Sequence, residues 1–431
     1  MKKYILIILC CLTSFPLWSY NVNMIVEHYS VDQGLPNNTV NCTLKDRDGF
    51  IWFGTWYGLC CFDGVKFKTF NKQEHDSDVP PRKIQRIVED KNGYIWVKTI
   101  DRKLYVFNKV TECFHAVYDD MKNYSENIQV IKLQNTAEGD VLLLTKDKNL
   151  LLAGVDEKGQ VTIKILFDSR NEINKHDYTL KHHVLCETEE YISWIGTDYK
   201  VAAVHKGSEL ASRPADFITS KINSGDKDSF TSFFEDGRKV WVGDRAGIFY
   251  SIDVRTGLVN RYVLSEIKGA ISNLLVTPAG YVYLSVAGQG TYEYDLAERR
   301  LQKINTEMND AMVTHAFIDQ YDKIWFHENE KALIYYDPLN HTAKRFPFTM
   351  FGKITTLYSE DAGERGLFFL SPAGEAWLFD REHAEMVYIN KLKQLSNDRA
   401  NQQFYHLMLD NDGVLWLSSA DEGVYCMNFP K

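Results

Sequence analysis

The sequence has no Gly-x-Ser-x-Gly elbow, no His-Glu-x-x-His pair and no glycine-rich phosphate loop. The commonest serine-hydrolase, zinc-protease and nucleotide-binding chemistries therefore have no carrier in it. Basic residues are not in surplus either: 49 Lys and Arg stand against 58 Asp and Glu, a formal net charge of −9. Phosphate neutralisation dominates nucleic-acid affinity, so this balance points away from DNA and RNA as partners. Cysteine is sparse. Cys10 and Cys11 lie in the N-terminal apolar stretch, and Cys42, Cys60, Cys61, Cys113, Cys186 and Cys426 fit no Cys-x-x-Cys spacing. A chain of this length buries a core without staples, and the neighbours Cys60 and Cys61 leave a strand on opposite faces, so small buried apolar residues are expected rather than a disulfide framework. Beyond the N-terminal segment no apolar run is long enough to cross a bilayer, and helical periodicity is almost absent.

The one apolar run stands at the start. Met1-Lys2-Lys3 precedes Tyr4-Ile5-Leu6-Ile7-Ile8-Leu9-Cys10-Cys11-Leu12, with Pro16 and small residues ending near Ser19. A charged start, a short apolar centre and small residues after it form a secretory signal. The expectation is a signal peptide over residues 1–19, cleaved near Ser19, and an exported domain over residues 20–431 with no direct membrane span.

Laid against itself, the chain repeats. Val40-Asn41-Cys42-Thr43-Leu44-Lys45-Asp46-Arg47-Asp48-Gly49-Phe50-Ile51-Trp52-Phe53-Gly54-Thr55 returns in outline at Ile87 to Thr99 and at Leu407 to Ser419, each time as an apolar strand, an Asp-x-x-Gly turn and a Trp-bearing strand. Weaker copies place the anchor at Leu142, Trp194, Trp241, Tyr283, Trp325 and Phe368, which makes nine units with anchors 42 to 52 residues apart. That spacing is the length of a four-stranded blade with its turns. Within a unit, Asp and Gly suit the first tight turn, a short turn at Thr55-Trp56-Tyr57-Gly58 leads to a third strand, and Asp63-Gly64 opens the hairpin to a fourth. The reading is an all-β chain, a β-propeller of four-stranded antiparallel blades. Trp52, Trp96, Trp194, Trp241, Trp325 and Trp416 are expected as blade anchors that fill the space between neighbours.

The two ends complement each other. Met24 to Tyr29 reads as a fourth strand with no unit before it, and the ninth unit stops at Val424-Tyr425-Cys426-Met427 without one. Their pairing would close a single ring of nine and remove both open edges. The alternative is a seven-bladed ring with two units left over.

At these residues the sequence resembles a known family. Gly34-Leu35-Pro36-Asn37-Asn38-Thr39-Val40, running into Asp46-Arg47-Asp48-Gly49-Phe50-Ile51-Trp52-Phe53-Gly54-Thr55, is similar to the opening of the two-component-regulator propeller repeats. The resemblance implies the periplasmic sensor region of a Bacteroidetes hybrid two-component system, responding to glycan-derived oligosaccharides. It implies as partners an oligosaccharide or an adjacent sensor domain, with pairing of two copies in a full-length context. Full-length members continue through further propeller units, an immunoglobulin-like domain, a membrane helix and a histidine kinase. The ending at Met427-Asn428-Phe429-Pro430-Lys431 is read as an internal boundary, with a truncated gene or an N-terminal fragment as the expectation, so no kinase activity carries over.

Candidate sites are few. Trp56 and Tyr57 offer planar rings in the turn after the second strand, and Asp198 and Tyr199 occupy the equivalent turn of the fourth unit; local turn packing is the competing explanation for both. His182-His183 is expected on a strand with its rings on opposite faces, and His327-Glu328-Asn329-Glu330 in a blade turn. Neither has ligand spacing, and no metal, cofactor or catalytic residue is expected. Three functions remain open at this point: a sensor module without enzymatic activity, a propeller enzyme acting on polysaccharide, and a protein-interaction scaffold.

Overall fold

A computed structural model describes residues 24–70, 80–124, 128–169, 180–196, 200–207, 217–221, 230–304, 313–328, 330–351, 357–361, 363, 366–371, 374–392 and 404–428. Residues 1–23, the expected signal among them, lie outside that set, as do Asp198 and Tyr199. His182 and His183 fall within a strand, Leu180–Glu187, but their side chains are not among those described.

The chain forms nine four-stranded antiparallel sheets, eight of them meanders of consecutive strands. Blades 1 to 8 cover residues 40–70, 84–116, 130–167, 180–221, 230–262, 271–303, 313–347 and 358–391. Blade 9 draws three strands from residues 404–428 and its outermost from Ile25–Tyr29. Ile25 pairs with Asn428 and Tyr29 with Val424, so the two ends of the chain share one sheet. The ring is single and nine-bladed, and the seven-plus-two alternative does not hold. Among the described residues, helix is confined to single turns such as Tyr118–Met121.

Why these residues make blades is visible in their burial. The second strands Ile51–Thr55, Ile95–Thr99 and Val141–Thr145 are buried at every position, because each blade is covered on both faces by its neighbours. Such strands read as continuous apolar runs rather than alternating ones. Outer strands are more open: Arg300–Lys303 is largely exposed, and Phe67–Phe70 exposes Lys68 and Thr69. The core is divided accordingly into nine clusters, one at each blade interface. Trp52, Leu59, Ile84 and Phe107 join blades 1 and 2; Leu142, Phe167 and Trp194 join blades 3 and 4; Trp325, Phe346 and Phe379 join blades 7 and 8. Ile51 and Phe53 of blade 1 pack with Trp416 of blade 9, which closes the ring through side chains as well as backbone.

Close approach between blades constrains one position sharply. A Cβ on Gly54 would stand 2.6 Å from Ile84 Cγ2 of the next blade, and one on Gly243 2.8 Å from Ile271 Cγ2. The described cysteines are free; Cys42, Cys60, Cys61, Cys186 and Cys426 are buried and Cys113 is half-buried.

Candidate functional site

A meander places its turns at two ends of the ring. First-to-second and third-to-fourth turns share one face; second-to-third turns and the connections between blades share the other.

The first face is built around an Asp in the first turn of five blades, three times as Asp-x-x-Gly. Asp46 Oδ1 accepts the backbone N–H groups of Asp48 and Phe50 at 3.0 and 2.9 Å, and Asp46 Oδ2 accepts the Trp52 indole N–H at 2.8 Å. The same pair recurs at Asp90 and Trp96 (2.8 Å), Asp236 and Trp241 (2.7 Å), Asp319 and Trp325 (3.2 Å), and Asp410 and Trp416 (3.1 Å). A buried indole donor needs an acceptor, and the turn carboxylate supplies one without a further residue. In three of these pairs a cation from the next blade lies on the same carboxylate oxygen: Lys109 on Asp46 (3.1 Å), Arg381 on Asp319 (2.6 Å) and Lys45 on Asp410 (3.4 Å). These straps are structural.

Among the described residues, Asp46, Asp48 and Glu89 are close enough to hold a metal ion together. Lys109 Nζ stands in their midst, 3.1, 2.6 and 2.8 Å from the three carboxylates. Burial alone would lower the Lys109 pKa, but hydrogen bonds to Asp48, Glu89 and Asp46 outweigh it and hold the ammonium charged. A cation is thus already built into the trio. The His327 to Glu330 segment differs from its expected place: His327 and Glu328 end the strand Ile324–Glu328 rather than sitting in the turn, and Glu328 Oε2 is held by Arg345 at 3.0 Å.

The opposite face carries Trp56 and Tyr57. They are 40% and 63% exposed, unlike the six anchor tryptophans, all of which are buried. The turn is fixed from both sides: Trp56 N–H donates to Thr39 O at 3.2 Å, and Trp56 O accepts from Lys83 N–H at 2.9 Å. Lys83 Nζ lies 5.1 Å from the Trp56 ring centre, a cation–π contact that orients the indole while leaving part of it open. Lys83 O accepts in turn from Ile100 N–H at 2.9 Å, so the aromatic turn of blade 1 leads directly into the equivalent turn of blade 2.

Beside that second turn is a cleft of about 400 Å³, lined among others by Arg102, Tyr105, Tyr118, Met121 and Gln129. It exists because the connection from blade 2 to blade 3 coils into the helical turn Tyr118–Met121, with Met121 buried and Tyr118 exposed. Sequence reasoning missed these residues, since a single helical turn leaves no periodicity to read. The structure brings Trp56 together with Lys83, whose carbonyl is bonded in turn to the blade 2 turn beside the cleft.

Residues 34–57 match the family model described as two component regulator propeller. No curated protein matches. Among solved structures the chain is similar to the extracellular domain of a B. thetaiotaomicron protein described as a one component system, with 14% identity over 92% of this chain and 65% of that one and a TM-score of 0.34. It is similar also to the extracellular domain of a hybrid two component system of the same organism, 14% identical over 95% of this chain and 61% of that one, with a TM-score of 0.36. A third, virginiamycin B lyase from Staphylococcus aureus, is 12% identical over 69% of this chain and 94% of that one, with a TM-score of 0.43. The chain thus spans less than two thirds of the length of the two extracellular domains.

Proposed function

We propose that this chain, which carries a two-component-regulator propeller repeat, is the exported ligand-sensing propeller of a two-component signalling system, and that its ligand is an oligosaccharide. The observation that carries the reading is the match of residues 34–57 to that repeat. The matched segment builds the first two strands of blade 1 and ends on Trp56 and Tyr57, the exposed aromatic turn. Planar rings with an open face suit the apolar faces of pyranose rings, and the adjoining cleft offers hydroxyl and guanidinium partners for sugar hydroxyls. The residues expected as a signal peptide support export to the periplasm.

The chemistry asked of such a module is differential binding. A closed ring with nine packed interfaces resists internal deformation, so a ligand on its face acts by favouring one rigid-body arrangement of the propeller relative to a neighbouring domain. The test is incubation of the purified chain with a panel of oligosaccharides, followed by calorimetry and by product analysis on the same samples. Binding with intact sugar is expected. New reducing ends or unsaturated products would replace the sensing reading with an enzymatic one, and retention of a partner protein without any sugar binding would replace it with a scaffold.

A further inference from the structure

Seven of the nine inner strands carry the same irregularity near their start. In blades 1, 2, 3, 5, 6, 7 and 9 the register with the second strand slips by one residue, between Val40 and Cys42 in blade 1 and between Ile84 and Arg86 in blade 2. A bulge on an edge strand re-aims the side chains around it. Inner strands are the edge that faces the axis of a propeller, and these bulges lie at the end of the axis on the face that carries Trp56.

What occupies them is biased in charge. In a chain where acids outnumber bases, neither the bulged residue nor the one after it is Asp or Glu in any of the seven blades. Arg86, Lys132, His315 and His406 take four of the second positions. Arg86 is exposed and pairs across the strands with Lys98, which is only 6% exposed and whose Nζ donates to Gln85. Like charges directly opposite on neighbouring strands are destabilising when nothing lies between them. Among the described residues, none of Arg86, Lys98 and Lys132 is in an ion pair; Glu235 is the one carboxylate whose charge acts on Lys132.

Blade 9, on the far side of blade 1, adds a donor or acceptor without a partner. His406 of blade 9 has a buried Nδ1 that makes no hydrogen bond. Burial first, and the positive charge of Arg86 second, hold its imidazole below the ordinary histidine range. Lys98 is likewise lowered, by burial and then by Arg102 of the cleft turn. Cations of blades 2 and 3 and an imidazole of blade 9 whose Nδ1 is buried and unpartnered thus hold equivalent bulge positions at one mouth of the axis, while the carboxylates of the first-to-second turns are held at the opposite face.

The geometry points to an oxyanion site at this mouth, with Arg86 and Lys98 as its charged ligands, His406 and Lys132 at its edges, and a sulfate or carboxylate group as its occupant. The group belongs either to a free ion or to an acidic saccharide, and only the second source rests on the sensing reading above. The test uses the full chain in a buffer free of other oxyanions. Thermal melts compare sodium sulfate with sodium chloride at matched ionic strength, calorimetry measures sulfate affinity, and a sulfated disaccharide is compared with its desulfated form. Sulfate is expected to stabilise beyond chloride, and the combination of Arg86→Gln with Lys98→Gln to weaken its binding at least tenfold. Arg86→Gln alone, at an exposed position, is expected to weaken it severalfold should the double variant fold poorly, with Arg86→Lys partly restoring it. A sulfated disaccharide binding at least tenfold tighter than its desulfated form identifies a saccharide as the source; equal binding of the two with sulfate binding retained identifies a free ion. Sulfate acting no more strongly than chloride, or equally on wild type and variants, overturns the site. Loss of all saccharide binding with sulfate binding intact would count against the sensing reading alone.

Discussion

Asp46 Oδ2 and the indole N–H of Trp52, 2.8 Å apart and both buried, join the first turn of a blade to its packing anchor. The other oxygen of Asp46 closes the turn itself, so one carboxylate ties local backbone geometry to the blade interface. Asp46→Ala removes the acceptor of a buried indole and two turn hydrogen bonds. It also frees Lys109 from one of three partners. A loss of about 2–4 kcal/mol is expected from an unsatisfied buried donor and the broken turn. Urea denaturation monitored by tryptophan fluorescence checks this, and a loss below about 1 kcal/mol would mean the pair contributes little.

Trp241 tests the anchors as packing groups. It is buried between blades 5 and 6, its ring 6.1 Å from that of Tyr262 and in one cluster with Phe249 and Leu274. Trp241→Ala is expected to cost about 3–5 kcal/mol through lost contacts and a residual cavity. An unchanged thermal melt would count against interface packing as the role of that ring.

Closure is tested at the chain ends. Removing residues 24–29 strips the outer strand from blade 9 and Met24 from the cluster between blades 8 and 9. The exposed strand Val424–Asn428 then offers unpaired backbone groups to other chains. A lower melting temperature and concentration-dependent aggregation are expected in light scattering. Monodisperse protein with an unaltered melt would show that the ring holds without its closing strand.

The repeat, the strand order and the closure were legible because each rests on local pattern: a turn with Asp and Gly, an apolar strand, an anchor at steady spacing. The acceptor of the tryptophan anchors was not, because it depends on a side chain five or six residues away across a tight turn. Blade 6 shows the limit well. Its anchor is Tyr283 and its turn residue Thr277, so the phenol cannot use a turn carboxylate; it donates to Glu293 at 2.8 Å, a residue of the third strand that is only 5% exposed. Tyr336 of blade 7 reaches the same carboxylate at 3.4 Å. Nothing in the spacing of the repeat announces that substitution of acceptor. The cleft at Tyr118 was hidden for a different reason, since it arises where a connection between blades departs from the repeat.

Acid should weaken the fold at Asp337. Burial alone would raise its pKa, but Lys323 at 2.7 Å, Asn340 at 2.8 Å and the Leu339 N–H at 3.0 Å outweigh that and hold it below the ordinary 3.8. A depressed folded value means the unfolded chain takes up the proton first on acidification. The contribution is therefore present in full above the ordinary carboxylate range and is lost as pH falls through the depressed value. Melting temperatures should drop for wild type as pH is lowered from about 5 to about 3, and Asp337→Asn should make that drop shallower. Identical slopes for the two proteins would remove Asp337 from the account.

Trp56 and Tyr57 separate ligand contact from turn packing. The indole is partly covered by Lys83 and the phenol stands free, so neither fills an interface as the buried anchors do. If the rings stack on sugar, Trp56→Ala and Tyr57→Ala should each weaken oligosaccharide binding about tenfold, or about 1.4 kcal/mol, while leaving the melt nearly unchanged. Lys83→Met keeps the ring but removes a cation–π contact of about 0.5–1 kcal/mol. It should loosen the indole and weaken binding less than loss of the ring does. Calorimetry on the three variants, each paired with a thermal melt, decides the matter. Should Trp56→Ala destabilise the protein as Trp241→Ala does while binding stays at the wild-type level, the turn is a packing element, and the ligand must be sought in the cleft of Tyr105, Tyr118 and Arg102.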